Sequence, residues 1–539
     1  MKKQVLTTLT LAAMLTVAAC SGGNTGNNGN AGESGTNKDQ PAAADTSPLK
    51  VTMTLMAGPK TPKAWVESAL EEDLSSKLNR NVDIDSLMLP GWDQAKTKIN
   101  LIMSDKKTMP NILWYWDMNK EYKTWSESGI IADLVPLLQK NGKNILDYYS
   151  KENLFYSWDK SGKMYRVPAD IAEAGTMTTI LRKDWIDKLN LQTPTTLQEY
   201  TDVLRAFTKN DPDDNGEDDT YGLSGPAELR SFGPILYAYK TNPDSFMITE
   251  DGTVKYGSVL PQTKEALKVL QDMFKEGLID PRMILVGQTD GSKFEEILQQ
   301  GKVGSIYRWV DYFNPGNNIV RGLQANTPGA ELMYIEPIKG PDGFSSDSPS
   351  DVGGWSYLSI TNKEKDSAGV MSVLNQMADP ETYKLVNFGK EGEHYKIENG
   401  EFKSLVTPDE SDKLGLGNFG WYISRKDEAN IKNTPEVNEL FKKRAITSQP
   451  LRDLTVEFKS LDRPAFIEYN ADLTKLRDQT FYGIISGKLS IDEFDKFVEQ
   501  YYKLGGKQVE EEANKLYKEQ KEEFAAYEEW YTKEIEPFK

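Results

Sequence analysis

The segment from Asn210 to Thr220 gathers oxygen side chains at alternate positions: Asp211, Asp213 and Asn215, then Asp219. Gly216 permits the tight turn between them, and Glu217 offers a backbone carbonyl. This is the opening of the calcium-loop pattern D-x-[DN]-x-[DN]-G. Hard oxygens packed this densely repel one another unless a cation sits among them. The position where a bidentate Glu would complete an EF-hand shell is Gly222, so Thr220 or water must fill the gap. The expectation is a structural Ca²⁺ clip held by Asp211, Asp213, Asn215, Glu217 and Asp219, the alternative being a solvated Asp/Asn turn.

A second chemistry lies in the aromatics. The chain holds 11 Trp and 25 Tyr, and aromatic residues make up 10% of it. Sugar rings lay their C–H faces on aromatic rings, while their hydroxyls need polar partners. Two segments have that mixture. One is Trp114-Tyr115-Trp116-Asp117, at the end of an apolar run. The other is Tyr307-Arg308-Trp309, directly after Gly301 to Ile306. Phe232 and Arg230 are further candidates. The lone His394 reads as a hydrogen-bonded structural residue rather than a pH sensor.

The elements that must position these residues follow a charged, apolar start. Met1-Lys2-Lys3 precedes an apolar run from Val5 to Ala19, too short to span a bilayer. It reads as a signal peptide over 1–19. Val17-Ala18-Ala19-Cys20-Ser21 resembles the bacterial lipoprotein box, which implies that Cys20 becomes an N-terminus acylated with chains such as palmitate. Two or three such chains anchor stably, since each buried CH₂ contributes about 0.8 kcal/mol. Residues 20–48 are Gly, Asn, Ser, Thr, Ala and Asp with almost no large apolar side chain, hence a flexible tether. Loss of Lys2 and Lys3 with the signal takes the net charge from −18 to −20.

That charge argues against nucleic acid as a partner and against a polybasic membrane surface. One Cys excludes an intrachain disulfide, and one His excludes multi-His metal sites. The 539 residues allow three or four domains, or two large lobes. From Leu49 the pattern is α/β. Strands read at 49–55, 82–89, 111–116, 165–168 and 178–181. Helices read at 64–78, 262–276, 363–378, 491–503 and 508–533. Thr196 and Glu199 form a capping box over a helix whose apolar face is Leu197, Tyr200, Val203, Leu204 and Phe207. Strand–helix alternation predicts mostly parallel sheets. The Glu/Lys-rich C-terminal helix reads as solvated and docked on its own lobe.

A series of short motifs runs through the chain: Gly162 to Pro168, Leu181 to Trp185, Pro194 to Tyr200, Thr220 to Leu223, Glu276 to Asp280, Gly301 to Gly304, Glu391 to Tyr395 and Gly487 to Phe494. In order and spacing it resembles the family 1 extracellular solute-binding proteins of ABC importers, in particular the large lipoprotein type of Gram-positive bacteria. The resemblance implies an α/β, two-lobed periplasmic-binding-protein-like fold (type II) with a hinge crossed several times. Crossings are expected near 178–182, near 353–360 and within 445–470. Lobe 1 is expected to hold 49–178 and 356–455, and lobe 2 to hold 179–355 and 456–539.

The implied function is capture of an oligosaccharide or related glycan in the interlobe cleft, without chemistry, and delivery to a membrane permease. The protein would be a monomer on the outer face of the cell membrane, held there by its lipid alone. The acidic loop resembles one in alginate-binding relatives, which implies calcium. The maltose-binding members support Tyr115, Trp116 and Asp117, and Arg308 and Trp309, as contacts. Trp355, at a crossing, and Asp170 and Glu173, before another, join them. Another aromatic contact of those members falls near Thr474 here and is not carried over. An acidic sugar would need Arg182, Arg230 or Arg308 for its carboxylate. Two alternatives remain at this point: a secreted glycoside hydrolase, and a lipoprotein that presents its closed state to a membrane kinase.

Overall fold

The computed structural model describes residues 47–56, 64–171, 176–285, 291–314, 317–349, 351–460 and 462–539. Cys20, the signal segment and Glu173 lie outside the described residues.

The described strands are β1 (Leu49–Leu55), β2 (Val82–Met88), β3 (Ile112–Trp116), β4 (Val167–Asp170), β5 (Met177–Arg182), β6 (Tyr221–Leu223), β7 (Phe246–Ile248), β8 (Val254–Tyr256), β9 (Val303–Trp309), β10 (Leu332–Ile335), β11 (Ser356–Ile360), β12 (Tyr395–Glu398), β13 (Glu401–Ser404) and β14 (Thr455–Val456). Lobe 1 is built on the order β2-β1-β3-β11-β4, and lobe 2 on β10-β5-β9-β6. A small β14-β7-β8 sheet extends lobe 2, and β12-β13 form a hairpin. Each lobe has its own large apolar core. The first gathers Val51, Ile84, Trp114, Leu358 and Leu374; the second gathers Leu181, Leu204, Phe207, Leu267 and Phe481.

The sheets are mixed, not mostly parallel. β1 runs parallel to β2 and β3, but β11 is antiparallel to both β3 and β4, and β5 is antiparallel to β9 and β10. The hinge explains this. A strand arriving from the other lobe starts at the hinge end, so it runs against the strands that finish there. β3 and β4 finish at Trp116 and Asp170, both paired with Ser356, where β11 begins. In lobe 2, β5 begins at Met177, opposite Trp309, where β9 ends.

Local signals hold where propensity and packing agree. The helix Leu197–Lys209 starts with the Thr196/Glu199 capping box and buries Leu197, Tyr200, Val203, Leu204 and Phe207. Such a cap stabilises its helix by about 1 kcal/mol.

Two boundaries differ from the sequence reading. The helix Pro435–Thr447 packs Val437 and Leu440 on Val310 of lobe 2, and Leu451 joins the second core, so residues 435–455 belong to lobe 2. The third crossing therefore falls before Pro435, ahead of 445–470. Arg444 holds this segment: wholly buried, it pairs with Asp347 at 2.9 Å and Glu336 at 2.7 Å. A buried guanidinium requires such partners, so this ion pair fixes where the helix docks.

The C-terminal helix Lys507–Glu534 serves both lobes rather than one. Val509 and Ala513 enter the second core, while Tyr527, Tyr531 and the following Ile535 enter the first. Twenty-eight residues reach about 42 Å at 1.5 Å each, enough to bridge two lobes.

Candidate functional site

β3 alternates its side chains, so Trp114 and Trp116 share one face and Tyr115 takes the other. Trp116 therefore joins an aromatic cluster at the hinge end of lobe 1. Its ring lies 4.8 Å from that of Trp92 and 5.3 Å from that of Trp114. Trp355 and Trp421 complete the group, 5.5 Å from each other and 6.2 and 5.9 Å from Trp92. Trp114 is the buried floor, whereas Trp92 is 48% exposed. Edge-to-face packing holds these rings rigidly, so the wall they form is preorganised to receive a flat apolar face.

Polar groups edge this wall. The Trp355 indole N–H donates to Asp170 Oδ2 at 3.2 Å, and Lys426 Nζ pairs with Asp170 Oδ1 at 2.7 Å. Lys96 pairs with Asp117 and sits 5.6 Å from the Trp116 ring centroid. Asp117 itself is an exposed turn residue with φ +44°.

Lobe 2 contributes Trp309, 37% exposed at the end of β9, with the Arg230 guanidinium 5.6 Å from its ring. Arg230 donates to Glu228 at 2.9 Å, and the buried Arg308 faces the same Glu228 at 3.5 Å. Beside them lies a cavity of about 620 Å³ that reaches Tyr156 on lobe 1. Its floor carries Asp351, Arg452 and Glu457.

Glu457 also holds the second crossing. Its carboxylate accepts the N–H groups of Val352 at 2.6 Å and Gly353 at 2.8 Å. Gly353 has no room for a side chain: a Cβ would lie 2.5 Å from the Tyr156 ring and 2.8 Å from Glu457 Oε1. Burial, with Asp351 beside it, pushes the Glu457 carboxyl up to about 7. Burial among the cleft walls also raises Asp351, although that residue stays open to solvent.

The structure thus brings Trp116, Asp170 and Trp355 together at the hinge end of lobe 1, and sets Arg308 and Trp309 at the end of β9 in lobe 2. It does not bring Tyr115 or Phe232 to the cleft. Tyr115 is wholly buried, 3.1 Å from Ser359 through its hydroxyl and packed on Trp125, and Phe232 is wholly buried in the second core. Trp92, Trp421, Tyr156, Asp351, Arg452 and Glu457 are missed by the sequence reading. Trp92 and Trp421 each follow a Gly in a loop, a context that presents a ring at a surface, and this is the one signal available. His394 is structural: its Nδ1 accepts the Lys390 N–H at 3.0 Å and its ring lies 4.4 Å from that of Trp65.

The acidic loop folds around an internal cation. Lys302 Nζ lies 2.6 Å from Asp213 Oδ2 and 2.9 Å from Asp219 Oδ2. Asn215 donates to both acids at 3.2 Å, and Asp211 accepts the N–H groups of Asn215 and Gly216. Those amide bonds, that of Gly216 first, hold the Asp211 carboxyl below its usual range. Asp213 Oδ1 is buried without a hydrogen-bond partner, which suits a cation ligand. Thr220 is unsuited, because its buried hydroxyl donates to the Phe207 carbonyl. Among the described residues, no three acidic, His or Cys side chains converge as a metal site as they stand.

Two α/β lobes built on mixed sheets match the fold of solved solute-binding proteins. No family model matches the chain. Lipoprotein LipO of Bacillus subtilis is 26% identical over 79% of this chain and 84% of its own length. The polygalacturonan/rhamnogalacturonan-binding protein YtcQ of the same organism is 28% identical over 64% of this chain and 68% of its own. Among solved structures, the alginate-binding protein AlgQ2 without calcium ion superposes with a TM-score of 0.64 at 18% identity, covering 89% of this chain and 100% of that one. An EF-hand mutant of the Streptococcus pneumoniae ABC-transporter substrate-binding protein FusA, in complex with fructo-nystose, gives 0.63 at 18%, covering 89% and 99%.

Proposed function

We propose that this chain is the solute-binding lipoprotein of an ABC importer, closing its two lobes on an oligosaccharide and presenting it to a membrane permease. The observation that carries this reading is the placement of the Trp92, Trp116, Trp355 and Trp421 wall on one lobe and Trp309 on the other, at strand ends that meet the crossings. Rings on each wall bind the two faces of a sugar, and the energy of the second contact is available only when the lobes close. Asp170 and Glu457 accept hydroxyl hydrogen bonds. The names of YtcQ and FusA, both glycan binders, support the ligand class. Residues 20–48 are the tether, and acylated Cys20 holds the monomer on the outer face of the membrane; the LipO likeness supports this.

Ca²⁺ is proposed for the 211–219 loop. It would take the place of the Lys302 ammonium, with Asp211, Asp213, Asp219, the Glu217 carbonyl and the Asn215 amide oxygen, turned inward, as ligands. The names of the AlgQ2 and FusA structures support calcium in such proteins. Calorimetry over an oligosaccharide panel, with chromatography of the recovered sugar, tests the function. Saturable binding of an intact glycan is expected; cleaved sugar would favour a hydrolase instead.

A further inference from the structure

We infer that the cleft is built for an uncharged oligosaccharide and rejects uronic-acid oligomers, an inference that deepens the reading above and rests on it. A uronate needs a cation free to meet each carboxylate. The arginines that the sequence offers for this are already engaged. Arg182 is buried against Asp184 at 2.6 Å and the Gly301 carbonyl at 2.9 Å. Arg230 and Arg308 both face Glu228.

The cavity floor repeats the pattern. Arg477 spans Asp244 at 2.6 Å and Asp478 at 2.7 Å, and Arg452 lies beside Asp351 and Glu457, offsetting part of the rise that burial causes in both. Against three guanidiniums the cavity sets five carboxyl groups, two of them raised by burial, so its lining holds no excess of cations. On the aromatic wall, Lys426 and Lys96 are taken by Asp170 and Asp117. A like charge brought into such a cleft is repelled, while sugar hydroxyls find acceptors in Asp351 and Glu457. This separates the chain from YtcQ, whose name gives it a polyuronate.

The test is calorimetry on the folded chain with kestose, a mannose-containing N-glycan fragment and trigalacturonate. At least one neutral sugar is expected to bind, with trigalacturonate at least tenfold weaker. Glu457→Gln and Asp351→Asn should each raise trigalacturonate affinity relative to the neutral sugar by about threefold or more. Asp351→Asn serves if Glu457→Gln loosens the crossing. Trigalacturonate binding as tightly as the best neutral sugar, or an unchanged ratio in both variants, overturns the inference alone. Silence across the panel overturns the oligosaccharide reading, and this inference with it.

Discussion

Trp355 donates its indole N–H to Asp170 across 3.2 Å, joining the end of the second crossing to the start of the first. A contact on this wall and a hinge strand are thus one structure. Asp170 is also fixed by Lys426. Asp170→Ala should release both partners and weaken glycan binding about tenfold, while Asp170→Asn, which keeps an acceptor for the indole, should lose less. Calorimetry on the two variants measures the difference; equal losses would detach Trp355 from the effect.

Trp309, 37% exposed, is a lobe 2 ring that contributes little to the core. Trp309→Ala should cost about 1–3 kcal/mol of binding, from lost ring contact and area, with little change in melting temperature. Calorimetry beside a thermal melt checks both halves, and unchanged affinity would remove Trp309 from the site.

Arg444 is a stability residue by the same logic. Arg444→Ala leaves Asp347 buried and unpaired, which should cost about 3–5 kcal/mol in urea denaturation. A loss below 1 kcal/mol would show that the Asp347 pair is solvated.

Glu457 sets a pH dependence. Its folded carboxyl stands near 7, raised by burial first and then by Asp351. A raised folded value means that the native state holds the proton more tightly. The stabilisation is therefore complete below the unfolded carboxylate range and is lost as pH rises through about 7. The full shift corresponds to about 3 kcal/mol, and the solvent reaching Asp351 reduces that. Melting temperature should fall between pH 5 and 8, and Glu457→Gln should flatten the slope. A parallel slope in the variant would assign the effect elsewhere.

Calcium should raise the melting temperature, and chelation should lower it. At millimolar calcium a site of extracellular strength contributes about 1 kcal/mol, or about one to two degrees in a chain of this size. Lys302→Gln should enlarge the response by removing the competing ammonium from Asp213 and Asp219. A melt indifferent to both treatments would leave the loop a Lys302-centred turn.

Much of this was legible from residue order. The capping box at Thr196, the continuous apolar run into β3 and the aromatic ends of β3 and β9 follow from local pattern, and the fold follows from the motif series. Alternation in β3 would have removed Tyr115, since Trp114 and Trp116 share the face opposite to it. The rest depends on long-range packing. Nothing near Trp421 or Glu457 in sequence says that one will meet Trp92 or the other the Gly353 amide. The lobe assignment of 435–455 turns on where Arg444 finds Asp347, almost a hundred residues earlier. The C-terminal helix carries apolar residues along its whole length, and only its reach shows that they serve two cores.

Closure of the lobes on a glycan is a change of shape that small-angle scattering measures. With a bound oligosaccharide identified by calorimetry, the radius of gyration should fall on saturation, and Trp309→Ala should blunt the change at equal occupancy. A radius of gyration unchanged at full occupancy would mean that the two walls do not meet across the sugar and that the lobes do not close.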